Sequence, residues 1–92
     1  MEPGEIQVDI AAKEKTWVSL SSHGKTVFSG ILDTAQTKNF AVTEHAKLMT
    51  GNAGGLDVRW NGKPIGPIGS RGQVRTVLLN TDTYEILPPR GL

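Results

Sequence analysis

The residues of this chain with a capacity for nucleophilic chemistry are serines and histidines. A hydrolytic triad needs a nucleophile, a base and an orienting acid within hydrogen-bond reach of one another. The chain has two bases, His23 and His45, but lacks the Gly-x-Ser-x-Gly elbow that exposes a nucleophile; its serines are Ser19, Ser21, Ser22, Ser29 and Ser70. We therefore expect these side chains in strands, turns and solvated loops.

Metal-dependent and acid–base catalysis are also poorly supported. His23 and His45 lack His-x-x-x-His or His-x-His spacing, and a chain without cysteine has no thiolate ligand. Asp9, Glu14 and Asp57 are predicted to lie solvated on strand faces, opposite apolar residues. No cofactor is predicted. An enzyme is the weakest hypothesis, because it requires carboxylates or histidines that converge in a cleft.

Glycines at three-residue spacing, Gly66, Gly69 and Gly72, superficially resemble a phosphate-binding loop. A P-loop and a dinucleotide fingerprint both need a helix after their glycines, whereas a β-rich segment follows here. These glycines are therefore interpreted as backbone positions that need positive φ, where a β-carbon would cost roughly 1–2 kcal/mol each. Asn52 is expected to pin the crossing between Met49 and Leu56. The residues given a structural role are Trp17, Gly30, Gly51, Asn52, Gly54, Gly62, Gly69 and Gly72.

Basic residues are concentrated between positions 59 and 75, where no acidic residue occurs. If Arg59 and Arg75 point to solvent from neighbouring strands, they form a patch for an anionic glycan, a lipid headgroup or an acidic partner. The alternative is an ordinary charged sheet face. The candidate interaction surface comprises Arg59, Asn61, Lys63, Arg71 and Arg75.

The two tryptophans are the remaining candidates for binding. We predict that Trp17 is a buried core anchor, which is the commoner arrangement, and that Trp60 is half-buried beside a hairpin tip. Exposed indoles would instead indicate sugar stacking or an interface hot spot. Carbohydrate binding is therefore the alternative function, and it requires a tryptophan or Tyr84 to lie flat on the surface beside polar groups.

The elements that must position these residues are predicted to be short strands. Apolar and polar residues alternate over 6–12 and 56–60, and Asn61-Gly62 predicts a type I′ hairpin turn. A turn is expected at 22–25, a bulge or close approach at Gly30, and the last strand over 73–79. About seven or eight antiparallel strands predict an all-β fold: an immunoglobulin-like two-sheet sandwich or a small barrel. The helical alternative is a short helix over 43–49, capped by Thr43.

Composition places the chain among single globular domains. The 92 residues are predicted to form one domain over 5–79, between a linker remnant at 1–4 and a polar tail at 80–92 that could be an edge segment. A net charge of +1 argues against a nucleic acid partner. The given sequence shows neither a signal-peptide pattern nor an apolar run long enough to cross a membrane.

Several motifs, in order and with ordinary spacing, resemble the C-terminal domain of the bacterial cell-shape protein RodZ. They are 17–18 (WV), 24–25 (GK), 27–30 (VFSG), 51–54 (GNAG), Val58, 61–64 (NGKP), 66–69 (GPIG) and 72–75 (GQVR). The resemblance covers residues 5–79 and leaves out the tail.

The resemblance implies an architecture larger than this chain. In this family a cytoplasmic helix-turn-helix domain binds the actin-like protein MreB, and a membrane-spanning helix and a linker lead to the β domain. A non-catalytic, extracytoplasmic (periplasmic) interaction module, tethered by a membrane helix upstream, is therefore implied. It would couple the cytoskeleton to peptidoglycan elongation and cell shape. The implied partners are proteins of the elongation machinery and peptidoglycan itself, so cell-wall glycan is the ligand of the alternative function.

Overall fold

The computed structural model describes residues 5–43, 45–65 and 68–87. Within these ranges the chain forms nine strands and one 3-10 turn (Ala53–Gly55). The strands are β1 (Glu5–Ala12), β2 (Thr16–Ser22), β3 (Lys25–Leu32), β4 (Thr37–Thr43), β5 (Ala46–Thr50), β6 (Leu56–Trp60), β7 (Lys63–Pro64), β8 (Arg75–Leu79) and β9 (Tyr84–Ile86). The predicted all-β class is confirmed. The strand number exceeds the predicted one because β7 and β9 are very short.

The strands form two packed antiparallel sheets, so the fold is a sandwich rather than a barrel. The four-stranded sheet has the order β4-β1-β6-β7, and the five-stranded sheet has the order β3-β2-β5-β8-β9. The pairs β2–β3, β6–β7 and β8–β9 stay within one sheet, whereas the other connections cross between sheets. Segments that are close in sequence therefore often lie in different sheets.

The two-residue alternation of each strand decides which side chains enter the core. In β1, Ile6, Val8, Ile10 and Ala12 are all buried, which confirms the predicted inward face. Burial of these side chains removes apolar surface from water, the main favourable contribution to folding. The neighbouring strand β6 adds Val58 to this inward face, and the facing sheet contributes its own alternate residues: Val18, Leu20, Leu48, Val77 and Leu79.

Aromatic pairs connect the two sheets along both open sides of the sandwich. Phe28 of β3 and Phe40 of β4 have ring centroids 5.5 Å apart, and Lys38 lies 5.7 Å from the Phe28 centroid. On the opposite side, the Trp60 and Tyr84 rings meet edge to face at 5.5 Å. These contacts cover the sides of the core that the sheets leave open.

Tight turns set the register of the two predicted hairpins. Asn61 and Gly62 both have positive φ, 51° and 83°, as a type I′ turn requires, and His23 and Gly24 have 52° and 77°. Both turn predictions are confirmed. The helical alternative over 43–49 is excluded for the described residues, since Thr43 ends β4 and residues 46–49 lie in β5.

The β-bulge lies at Val27 and not at Gly30. Leu20 pairs with Phe28 and Ser21 pairs with Thr26, which leaves Val27 as the extra residue, whereas Gly30 pairs in register with Val18. This change of register, close to the hairpin turn, is the bulge. The Phe28 ring lies near Gly30, where an added Cβ would be 3.4 Å from its Cζ.

The last predicted strand is shorter than expected, and the tail contributes another. β8 begins at Arg75, because Gln73 instead closes a turn with Ser70: Ser70 N–H donates to Gln73 Oε1 at 2.8 Å, and Gln73 N–H donates to the Ser70 carbonyl at 3.1 Å. Within the predicted tail, β9 pairs with β8 at the edge of the five-stranded sheet. Residues 1–4 and 88–92 lie outside the described ranges.

Candidate functional site

The β6–β7 hairpin carries three of the five residues of the candidate interaction surface. Arg59 and Lys63 are exposed. Asn61 serves the turn itself, since its Oδ1 accepts the Gln7 N–H at 2.9 Å and its own N–H donates to the Gln7 carbonyl at 2.8 Å. The hairpin therefore presents two cations, while Asn61 holds it against β1.

The other two residues of that surface are engaged within the fold. Arg71 forms an ion pair with Glu14: its Nε donates to Oε1 at 3.0 Å, and its Nη2 lies 2.6 Å from Oε2. Arg75 is half-buried; its Nη1 donates to the Leu87 carbonyl at 3.3 Å and its Nη2 to Gln73 Oε1 at 3.2 Å. Arg75 is therefore committed to internal contacts, whereas the Arg71 side chain stays 81% exposed while it pairs with Glu14.

The predicted patch on neighbouring strands is therefore wrong. Arg59 lies in the four-stranded sheet and Arg75 in the five-stranded sheet, because the chain crosses between sheets after β7. Around Arg59 the surface is of mixed charge: Asp9 lies opposite it on β1, and Lys13 pairs with Asp57 at 3.5 Å. The alternative of an ordinary charged sheet face describes this surface.

Asn52 connects the segment between β5 and β6 to two other parts of the chain. Its Oδ1 accepts the Gly72 N–H at 2.7 Å, and its Nδ2 donates to Glu14 Oε1 at 3.1 Å. Glu14 lies in the β1–β2 turn rather than on a strand face, and it receives both Asn52 and Arg71. The Glu14 carboxylate thus links the segments between β1 and β2, between β5 and β6, and before β8. The sequence did not predict this role.

Close backbone approaches explain two glycines of this region. A Cβ on Gly51 would overlap the indole Nε1 of Trp17, which lies against the glycine. A Cβ on Gly54 would overlap the backbone of Arg71, and the Gly54 N–H donates to the Ser70 carbonyl at 3.1 Å. Space, rather than positive φ, excludes a side chain at both positions. The prediction of positive φ is confirmed at Gly72 (80°) and wrong at Gly69, where a Cβ would instead lie 2.8 Å from Arg75 Cγ; Gly66 lies outside the described residues.

Trp17 is not the buried anchor that was predicted. It is 41% exposed on the outer face of the five-stranded sheet, because β2 directs Val18 and Leu20 into the core and Trp17 and Ser19 outward. The signal was present in the sequence, since Trp17 shares its face with a serine. A shallow depression of about 240 Å³ lies beside Trp17 and is lined by Lys15, Thr16, Ile31, Gly51 and Asn52. A second depression, of about 410 Å³, lies beside Arg59.

Trp60 is the tryptophan whose indole packs against the core. It is half-buried, and its Nε1 donates to the Asn80 carbonyl at 2.9 Å. The hydrogen bond and the ring contact with Tyr84 both tie the β6–β7 hairpin to the segment around β9. Tyr84, although partly exposed, is therefore committed to an internal contact.

The comparison with known families finds one matching model, the RodZ C-terminal domain, over residues 9–77. The match runs from within β1 into β8 and thus includes strands of both sheets. The chain belongs to the RodZ C-terminal domain family. This confirms the resemblance that the motifs indicated. No curated protein and no solved structure matches the chain.

In this RodZ C-terminal domain the fold brings together two histidines that the sequence separates. The rings of His23 and His45 meet edge to face with centroids 5.9 Å apart, because His23 directly follows Ser22, His45 directly precedes Ala46, and Ser22 pairs with Ala46 between β2 and β5. Among the described residues, no group of three or more His, Cys, Asp or Glu side chains could hold a metal ion. The same residues contain no helix long and apolar enough to span a membrane.

Proposed function

We propose that this domain is the non-catalytic, extracytoplasmic interaction module of a RodZ-like protein, which connects the MreB cytoskeleton to peptidoglycan elongation and thereby to cell shape. The observation that carries the proposal is the family match over residues 9–77. A membrane tether upstream of the given sequence and a periplasmic location are parts of the proposal. Its partners are proteins of the elongation machinery.

The arrangement of polar groups supports a binding role more than a catalytic one. The strongest polar cluster, formed by Glu14, Asn52 and Arg71, is satisfied internally and holds loops together. Arg59 and Lys63, in contrast, are presented on a hairpin whose backbone is held rigidly by Asn61. A fixed backbone with free charged tips suits electrostatic recognition of an acidic partner surface.

The test is binding to the extracytoplasmic domains of elongation proteins, measured by calorimetry or pull-down. Reversal of both hairpin charges, Arg59→Glu with Lys63→Glu, should weaken binding and reduce its salt dependence. Lys47→Glu, which reverses an exposed charge on the other sheet, is the matched control. Arg75 is unsuitable for reversal because its guanidinium holds internal hydrogen bonds. Equal affinities for the hairpin and control variants would reject the hairpin as the docking surface.

Glycan binding is a second candidate function, and the exposure of Trp17 favours it. The indole lies on the outer face of the five-stranded sheet, against Gly51. Ser19, two residues along β2 on the same face, pairs with Ser29 of β3, so two serine hydroxyls lie beside the indole. An indole face beside hydroxyl groups suits stacking against a pyranose ring.

Peptidoglycan fragments titrated into the domain test the glycan hypothesis. In a Trp60→Phe background only Trp17 reports by fluorescence, and a saturable change that Trp17→Ala abolishes would support stacking. An emission from Trp17 that stays constant, together with unaltered retention of Trp17→Ala on peptidoglycan, would reject it.

A further inference from the structure

An apolar row crosses the outer face of the five-stranded sheet. Ile31 of β3, 61% exposed, pairs with Trp17 of β2, and the Gly51 N–H donates to the Trp17 carbonyl at 3.0 Å. Val74, 49% exposed, directly precedes β8, whose first residue pairs with the last residue of β5, so Val74 neighbours Gly51. We call these four residues the Trp17 row. It holds three of the five large apolar side chains that are exposed in the described ranges, and contiguous exposed apolar side chains mark binding surfaces.

The Trp17 indole forms a supported platform at the centre of this row. One face of the indole lies against Gly51, which leaves the opposite face to solvent. Its Nε1–H donates no hydrogen bond within the described part of the chain. Neighbouring strands are about 4.8 Å apart, so a row over four strands spans about 14 Å, a length that takes two linked sugar rings.

The next row of the same face is polar but uncharged. Ser29, Ser19, Met49 and Thr76 pair in succession across the same four strands, so three hydroxyl groups lie beside the Trp17 row. Backbone groups on this face are already paired within the sheet, whereas an extended peptide binds by adding a strand to an edge. A flat aromatic platform beside hydroxyl groups therefore favours a saccharide over a peptide.

Lys15 supplies a charge at one end of the platform. Among the described residues that line the depression beside Trp17, it is the one with a charged side chain. Lys15 is exposed and forms no ion pair within the described ranges, whereas the adjacent Glu14 is paired with Arg71. Asp33, which directly follows β3 at this end of the sheet, is also unpaired there but does not line the depression. The ammonium of Lys15 is thus available to a ligand carboxylate.

We propose that the Trp17 row binds a saccharide that carries a carboxylate, namely the muramic acid of a peptidoglycan strand. The sugar ring stacks on the indole of Trp17, and the carboxylate lies at the Lys15 ammonium. Ile31 packs against the methyl of the N-acetyl group. This selectivity presupposes the glycan-binding function proposed above and specifies which sugar of the strand occupies the site.

The structure also sets the strength of this binding. A depression of about 240 Å³ is smaller than the roughly 300–1,000 Å³ of pockets that enclose drug-sized ligands, so it takes one sugar ring with weak affinity. Stacking on an indole changes affinity by up to roughly tenfold, whereas an exposed charge pair changes it by a few-fold. Trp17 therefore determines the affinity, and Lys15 determines the preference for an acidic sugar.

Two disaccharides of the same size test the proposal in NMR chemical-shift titrations of the domain. Di-N-acetylchitobiose is neutral, and N-acetylglucosaminyl-N-acetylmuramic acid differs from it by a lactyl group that bears the carboxylate. The unmodified domain should bind the acidic disaccharide roughly threefold more tightly than the neutral one, and salt should reduce this preference. The shifts should include the amides of the Trp17 row.

The variants separate stacking from charge. Lys15→Gln should remove the preference and leave the affinity for the neutral disaccharide unchanged, whereas Asp33→Asn should increase the preference by removing a nearby carboxylate. Lys47→Gln, which removes an exposed cation of β5, is the matched control and should keep the preference. Trp17→Ala should weaken both disaccharides roughly tenfold, and Trp17→Phe, which keeps an aromatic ring, should weaken them less. Melting curves check that each variant remains folded.

The outcomes distinguish this selectivity from the glycan-binding function itself. Equal affinities for the two disaccharides, or a preference that Lys15→Gln leaves intact, would overturn the selectivity and keep glycan binding. The absence of shifts with both disaccharides at millimolar concentration would overturn both. Shifts of the Trp17 row with an apolar peptide alone would assign the surface to a peptide partner instead.

Discussion

Replacement of Asn52 by alanine removes the side chain that ties three segments of the chain together. The amide accepts a hydrogen bond from the Gly72 N–H at 2.7 Å and donates one to the Glu14 carboxylate at 3.1 Å. Alanine keeps the backbone hydrogen bond from the Gly55 N–H to the carbonyl of residue 52. The perturbation is thus restricted to the two side-chain bonds.

The expected loss follows from these two bonds. A neutral hydrogen bond contributes about 1 kcal/mol net, and one to a charged group about 1.5–3 kcal/mol. Because Asn52 is only half-buried, water compensates part of the loss, and we expect a decrease of about 2 kcal/mol in the free energy of unfolding. For a domain of this size, that decrease corresponds to a fall of roughly 8–16 °C in Tm.

Thermal and urea unfolding followed by circular dichroism measure the effect, with Asn39→Ala as the matched control. Asn39 also donates from Nδ2 to a carboxylate, Asp9 Oδ1 at 2.6 Å, but at an exposed site, so its loss should change stability by less than about 0.5 kcal/mol. If Asn52→Ala has the same Tm as Asn39→Ala, the prediction that Asn52 has a structural role is wrong. Unaltered melting with lost partner binding would assign Asn52 to recognition instead.

Three further sets of substitutions test the packing that the structure shows. Gly51→Ala should lower the unfolding free energy by about 1–3 kcal/mol in urea titrations, because the new Cβ displaces the indole of Trp17, and the loss should shrink in a Trp17→Ala background. The buried hydroxyls of Thr16 and Thr50 lie 2.7 Å apart, so either change to valine should destabilise by about 1–3 kcal/mol. A double-mutant cycle should show that the two losses are not additive, and additivity would mean that the hydroxyls act separately. Trp60→Phe should reduce stability by about 1 kcal/mol through loss of its indole hydrogen bond, whereas Trp17→Phe should stay within about 0.5 kcal/mol; equal losses would contradict the assigned environments.

The candidate site was less predictable than the fold. Arg59 and Lys63 were recognised as exposed hairpin cations, but the engagement of Arg71 with Glu14 was not. Those two residues are 57 positions apart, and their contact depends on how the loop before β8 packs against the β1–β2 turn. Sequence spacing carries no information about such a contact.

Local signals determined the strands and turns of this protein. Alternation over 6–12 and 56–60 fixed two inward faces, and Asn61-Gly62 fixed a hairpin, because strand pleating and turn dihedrals involve only neighbouring residues. These signals also limited the fold to the all-β class.

Only the tertiary structure decided which strands pair and in which of the two sheets each strand lies. It separated Arg59 from Arg75, brought His23 to His45, and placed Trp17 outside while Trp60 packs between the sheets. Sheet order depends on contacts between distant segments. Their free energy is distributed over the whole core, so no single position of the sequence determines it.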